Sequence, residues 1–249
     1  MNALTWLSSS AVLLLVVTIV GYATWLARPV AVPAPADRAR TRVATKRRRG
    51  AVHRTVLVVD VEAFGDRRRT NLDQVVVRSA LYRTLRQAFR QAGISHSDCE
   101  FEDRGDGVLI LAPAEMIKGP FVEELPGALA RALHAHNTTH PPEQRIRLRM
   151  ALHAGEVNYD DHGVTATAIN LTFRLVDAAR LKSELANSSG ALAVITSSWF
   201  FDEVVRHSSV CDRLAYRRVQ VVVKETATTA WIHAPDQDAS ASVFQNISS

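Results

Sequence analysis

The chain is poor in cysteine. It has two in 249 residues, Cys99 and Cys211. They stand far apart and in no metal-ligand spacing, which excludes a cysteine-built metal centre. They read as two reduced thiols of a cytosolic domain, with a single disulfide as the alternative. Charge is missing from Met1 to Ala27, and no Lys or Arg precedes the apolar run there. A cleavable signal peptide normally carries a basic start, so that reading is disfavoured, although Ala34-Pro35-Ala36 resembles a cleavage site. Acids are scarce at the start as well: Asp37 is the one acid among residues 1–55, against nine Lys/Arg. There is no internal repeat.

What fills the uncharged stretch is apolar. Ala11 to Val20 is almost wholly aliphatic, and Trp6, Tyr22 and Trp25 flank it. The segment is long enough to cross a bilayer core, which takes about 20 helical residues. Interfacial aromatics sit where a membrane span places them. Residues 1–27 are therefore expected to be one transmembrane helix. Arg28 and the cluster Lys46-Arg47-Arg48-Arg49 follow it, and the positive-inside tendency sets the large C-terminal part in the cytoplasm. The cluster reads as a stop-transfer flank and as an anchor to anionic lipid headgroups. Residues 28–54, with Pro29, Pro33 and Pro35, read as a basic linker.

The net charge of +5 hides an asymmetry. Residues 1–55 carry +8, and the remainder holds 21 basic against 24 acidic residues, a net −3. A slightly acidic globular part does not suggest a nucleic-acid binder.

The globular domain is expected over 55–233, with a disordered tail at 234–249. Val56–Val61 is apolar and β-branched with little alternation, the pattern of a central strand. Asn71–Ala92 predicts a helix with Val75, Leu81, Leu85, Ala88 and Phe89 inward and Gly93 at its end. Two strands, 98–101 and 107–112, are joined at Arg104-Gly105-Asp106, and a second helix covers 120–136. Arg145–Ala154 alternates: Ile146, Leu148, Met150 and Leu152 face one way, Arg147, Arg149 and Ala151 the other. That is a strand with one buried face. A turn at Asp160–Gly163, a third helix over 168–185, a strand over 191–196, a short helix capped by Ser197 or Ser198 and a hairpin around Lys224-Glu225-Thr226 complete the order. The fold class is α+β: a ferredoxin-like split βαβ core with helices on one face, an extra helix and a C-terminal hairpin.

Two acidic turns stand out. Asp60 ends the first strand, and Asp106 lies in the second turn. The split βαβ topology lets the two meet. Paired carboxylates repel unless a cation compensates, and Mg²⁺ commonly takes one or two carboxylates with water and phosphate oxygens. Two such ions can clamp the attacking and leaving oxygens of a phosphoryl displacement.

Five stretches, in order over about 55–233, carry a resemblance. Asp60-Val61-Glu62-Ala63-Phe64, Gly105-Asp106-Gly107, Arg149-Met150-Ala151-Leu152-His153-Ala154-Gly155-Glu156, Ala168-Ile169-Asn170-Leu171-Thr172-Phe173-Arg174-Leu175 and Val223-Lys224-Glu225 resemble motifs of class III adenylyl/guanylyl cyclase catalytic domains. The resemblance implies an enzyme that turns a nucleoside triphosphate into a 3′,5′-cyclic nucleotide and pyrophosphate. It implies that Asp60 and Asp106 bind two Mg²⁺ or Mn²⁺. Backbone amides of Val61, Glu62, Ala63 and Phe64 would hold the triphosphate at or near a helix N-terminus, and Lys224 would contact its terminal phosphates. Asn170 would orient the ribose, and Arg174 would stabilise the transferring phosphate. The base-selecting positions fall on Glu102, the residue of guanylyl cyclases, and on Gly163, which has no side chain to read a base. Ala63 and Ala166 replace family glycines. The family shares each site between two chains, so a homodimer is implied. A catalytically degenerate domain that binds nucleotide or signals by dimerising is the alternative. A different metal-dependent phosphoryl-transfer enzyme on the same core is a third, and the Asn170/Arg174 pair speaks against it. Arg67-Arg68-Arg69 reads as an exposed basic helix entry or as further phosphate contacts. His153 reads as a core or interface histidine.

Overall fold

The computed structural model describes residues 50–235. The expected transmembrane helix, residues 28–49 of the linker and residues 236–249 of the tail lie outside the described residues. Among the described residues no helix is long and apolar enough to cross a membrane.

Strand β1 (Val52–Val61) starts three residues before the expected domain boundary. Helix α1 (Asn71–Gln91) follows, then β2 (Glu100–Asp103) and β3 (Gly107–Pro113). Helices α2 (Pro120–Glu123) and α3 (Leu125–Thr139) lead to β4 (Leu148–Asp160) and its short partner β5 (Gly163–Thr165). Helices α4 (Thr167–Val176) and α5 (Ala179–Asn187) precede β6 (Leu192–Ser197) and α6 (Ser198–Glu203). The hairpin β7 (Arg217–Val223) and β8 (Thr226–His233) closes the domain.

The sheet runs β2-β3-β1-β4-β6-β8-β7, with β5 paired to β4. The first four strands are antiparallel neighbours in the ferredoxin-like order. Strand β6 then adds parallel to β4, and β8 and β7 add antiparallel.

Helices cover both faces of this sheet, not one. Along β1, Leu57, Val59 and Val61 join a core with Leu81, Leu85 and Phe89 of α1 and Leu129 and Leu133 of α3. Val56 and Val58 join a second core with Ile169 and Leu175 of α4 and Leu181 and Leu185 of α5. The near-continuous apolar run of β1 is what burial from both sides requires. Strand β4 follows the same rule: Met150 and Leu152 enter the first core and Ala151 the second.

Local signals set the helix ends. Thr70 and Asp73 form a reciprocal capping box at the start of α1, supplying acceptors to two of its orphan amides. Gly93 sits at φ +67 just past its end, the left-handed position that glycine takes without cost. Val75, expected inward, is 61 % exposed. The expected second and third helices are each divided. The break at Glu124 separates α2 from α3. Ala178, at φ −59 and ψ 130, separates α4 from α5.

Candidate active site

The pairing register builds one end of the site. Asp60 sits opposite Gly107 on β3 and opposite Arg149 on β4. The amide of Val61 donates to the carbonyl of Asp106 at 2.9 Å. The two acidic turns therefore meet, and two glycines make this possible. Gly105 has φ +87, and a Cβ on Gly107 would stand 2.3 Å from the carbonyl oxygen of Val59. Any side chain there would push β3 off β1.

Electrostatics distinguish Asp60. Burial raises its carboxyl above the ordinary range, the Arg149 guanidinium opposes that, and Asp106 adds to it. Asp60 is ion-paired to Arg149. The Nε of Arg149 is buried and has no hydrogen-bond partner, so this guanidinium keeps an unused donor. Lys182 of α5 also lowers the Asp60 carboxyl from a distance. Arg149 and Lys182 were not singled out as site residues from sequence. Strand alternation gave a signal for Arg149, since it shares the face of Arg147.

The four phosphate-binding candidates are not equivalent. The amide of Val61 is taken by Asp106, and that of Glu62 donates to the carbonyl of Arg147 at 2.9 Å. The segment is a turn rather than a helix start, because α1 begins at Asn71. Ala63 lies at φ +51, a backbone region that suits the glycine it replaces. Phe64 packs its ring against the first core. Two amides of the four, those of Ala63 and Phe64, remain for an anion.

Residues on α4 and the last hairpin build a different region. Asn170 is exposed in the first turn of α4. It is not the N-cap, a place held by Ala166. Arg174 lies one turn on, where it pairs with Glu225 at 3.1 Å. Its Nε is buried without a partner. Lys224 and Glu225 form the two-residue turn between β7 and β8, with Lys224 at φ +52.

Strand pairing shows how far this turn lies from Asp60. Following it from β8 through β6 to β4 sets Thr226 level with Val157, which pairs with Val52 at the start of β1. Asp60 is eight rungs further on, roughly 27 Å at the rise of an antiparallel strand. Within one chain, Lys224 and the Asp60/Asp106 pair thus occupy opposite ends of the sheet.

Of the base-selecting candidates, Glu102 on β2 is bound by Arg104 at 2.7 Å, and Arg104 lies 5.4 Å from the centre of the Phe173 ring on α4. Gly163 has φ +137, and Asp160 accepts hydrogen bonds from the amides of His162 and Gly163. Backbone geometry alone accounts for glycine there. His153 bonds Ser197 at 2.8 Å and meets the Trp199 ring edge-on. Its environment is structural, and among the described residues no carboxylate is ion-paired to it. Among the described residues no group of three or more His, Cys, Asp or Glu is gathered as a metal cage.

Several known structures share this architecture. The guanylyl cyclase Cya2 matches at a TM-score of 0.53 and 18 % identity, over 74 % of this chain and 92 % of that one. An adenylate/guanylate cyclase/hydrolase from Silicibacter pomeroyi matches at 0.53 and 19 %, over 75 % and 99 %. The fold is that of a nucleotide cyclase catalytic domain. A bacterial light-regulated adenylyl cyclase matches at 0.50 and 13 %, over 80 % and 97 %. No protein-family model and no curated protein sequence matches the chain. The cyclase fold thus covers about three-quarters of the chain, in agreement with the resemblance drawn from its five motifs.

Proposed function

We propose that the chain is a membrane-anchored nucleotide cyclase that works as a homodimer, its cytoplasmic domain held at the membrane by the N-terminal segment and basic linker. It converts a nucleoside triphosphate into a 3′,5′-cyclic nucleotide and pyrophosphate. One observation carries the reading. On a cyclase fold, strand pairing places Asp60 beside Asp106 at one end of the sheet and Lys224 at the other. Two chains related by a two-fold axis bring unlike ends together and generate two equal sites.

In each site Asp60 and Asp106 come from one subunit, and Asn170, Arg174 and Lys224 from the other. The raised Asp60 carboxyl beside a second acid fits a divalent cation. Two carboxylates completed by water and phosphate oxygens suit Mg²⁺ or Mn²⁺. Such ions, when bound, neutralise charge on the attacking and leaving oxygens. With Asp60 engaged by a cation, Arg149 would be left with its guanidinium available to a phosphate oxygen. Asn170 holds the ribose so that its 3′-oxygen faces the α-phosphorus. As that O–P bond forms, the 3′-hydroxyl gives its proton to water, the bond from the α-phosphorus to the bridging oxygen breaks, and pyrophosphate leaves with the electron pair. Arg174 of the partner subunit stabilises the charge on the transferring group, and Lys224 holds the terminal phosphates. Glu102 accepts only, so it favours a base that presents N–H donors, as guanine does.

A second reading, a degenerate cyclase domain that binds nucleotide without turning it over, draws on one contact. Glu225 occupies Arg174, the residue assigned to the transition state. Incubating the full chain with Mn²⁺ and each nucleoside triphosphate separates the two. The cyclase reading expects cyclic product from at least one nucleotide and none from Asp60→Ala. No conversion, with nucleotide binding unchanged by Asp60→Ala, overturns it.

A further inference from the structure

Beside the end of β1 lies a pocket of about 270 Å³ lined by Glu62, Ala63, Asp66, Arg68, Arg69 and the loop leading into β4, including Arg145 and Arg147. Four arginines face three acids there, Glu143 being the third. Two of those acids are already bound. Asp66 accepts from the Nε, the Nη2 and the amide of Arg68, and Glu62 lies 3.4 Å from the Nε of Arg147. Arg147 spends its other nitrogen on the carbonyls of Leu185 and Ser188 at the end of α5.

Arg69 and Arg145 differ from these. Arg69 donates to the carbonyl of Arg145 at 2.9 Å, and Arg145 donates to that of His140 at 3.2 Å. Among the described residues neither stands in an ion pair with a carboxylate. A second guanidinium nitrogen of Arg69 is buried with no hydrogen-bond partner, whereas the Nε of Arg147 is the atom that faces Glu62 in their ion pair. Burial lowers the proton affinity of Arg69, and Asp66, Asp73 and Glu62 oppose that without an ion-pair contact. Buried donors without acceptors are costly, and a guanidinium fork matches phosphate oxygens. The pocket is smaller than the roughly 300–1,000 Å³ of sites that enclose drug-sized ligands. It fits one or two phosphate groups rather than a nucleotide. Glu62 and Ala63, two and three residues beyond Asp60, form its wall.

We propose that Arg69 and Arg145 form an oxyanion subsite that takes the terminal phosphates of the nucleotide, and the pyrophosphate after cleavage. The assignment of the occupant rests on the cyclase reading; the oxyanion chemistry does not. The test titrates the full chain, free of divalent ions, with inorganic pyrophosphate, followed by calorimetry and by the thermal unfolding midpoint. Wild type is expected to bind, with at least a tenfold loss in Arg69→Gln and in Arg145→Gln. Arg69→Lys, which keeps charge but loses the fork, is expected to fall between. The unfolding midpoint of each ligand-free variant reports whether it folds. A nucleoside triphosphate should compete with pyrophosphate and the monophosphate should not. Competition by neither nucleotide makes the occupant free pyrophosphate and overturns the nucleotide assignment. No binding by wild type, or equal binding by folded variants, overturns the subsite, since the basic linker then holds the anion. Absence of cyclic product from an otherwise pyrophosphate-binding protein counts against the cyclase reading alone.

Discussion

The two ends of the sheet are built by different means. At the Asp60 end, position is dictated by backbone. Two strands approach so closely that Gly107 leaves no room for a Cβ, and the amide of Val61 ties one acidic turn to the other. At the Lys224 end, the candidates stand on a helix and a two-residue turn, and a single ion pair to the exposed Glu225 positions Arg174. The first end is rigid because moving it means breaking a ladder. The second can reorient side chains at the low cost typical of an exposed ion pair, about 0–1 kcal/mol. In the proposed dimer the Asp60 end would be the preformed half-site, and the Lys224 end the one that a partner and substrate would complete.

The largest expected effect tests whether the ends serve one reaction. Asp60→Ala and Arg174→Ala should each lower turnover by a factor on the order of 100–1,000, as removal of a transition-state contact does. Equal mixing of the two inactive chains, after subunit exchange, should restore about a quarter of wild-type activity. Half the dimers are then mixed, and each mixed dimer has one intact site. Two variants that stay inactive when mixed would mean that each site lies within a single chain.

Rigidity of the first end is tested by Gly107→Ala. The added methyl meets the Val59 carbonyl at 2.3 Å, so we expect a loss of roughly 1–3 kcal/mol in denaturant unfolding, the usual cost of overpacking. Glu225→Ala at the other end should leave the denaturant midpoint close to that of wild type, because an exposed ion pair adds little. Similar losses at both positions would erase the contrast.

Metal should act on one end only. Saturating Mn²⁺ at a hundred times its dissociation constant stabilises the fold by about 2.7 kcal/mol. The unfolding midpoint should rise in wild type and stay fixed in Asp60→Asn. The smallest effect concerns His153. Burial lowers it from 6.5 to about 4, so the unfolded chain binds the proton more readily. This group's contribution to stability is intact above pH 6.5 and is lost as pH falls towards 4. His153→Gln should flatten the unfolding midpoint over that window.

The sequence made some of this legible. The β-branched run of β1 marked a central strand, and the glycines around Asp106 marked a tight reversal. Both signals are local, and tertiary packing reinforces them. Other features depend on distant partners. The division of α4 from α5 carries no glycine or proline, because Asp177 and Ala178 break the helix through backbone angles that the surrounding core selects. Coverage of the second sheet face runs against the expectation of helices on one face: the apolar Val56 and Val58 are consistent with it, but the alternation in Arg145–Ala154 suggests a solvated face instead. Arg149 opposite Asp60 required the register between β1 and β4, which no single stretch displays. For Val61 and Glu62, the amides assigned to phosphate are already engaged by neighbouring turns, a fact that only the assembled sheet reveals.

The separation of the two ends also has a mechanical meaning. In the proposed dimer each subunit carries Asp60 and Lys224 eight strand rungs apart, roughly 27 Å along the sheet. The sheet between them is a lever. A tilt of one subunit against the other by about 5° displaces a half-site by about 2 Å, and a misplacement of about 1 Å can cost on the order of a hundredfold in rate. Small rocking movements are therefore amplified into large changes in output, and both sites of the dimer respond to the same tilt.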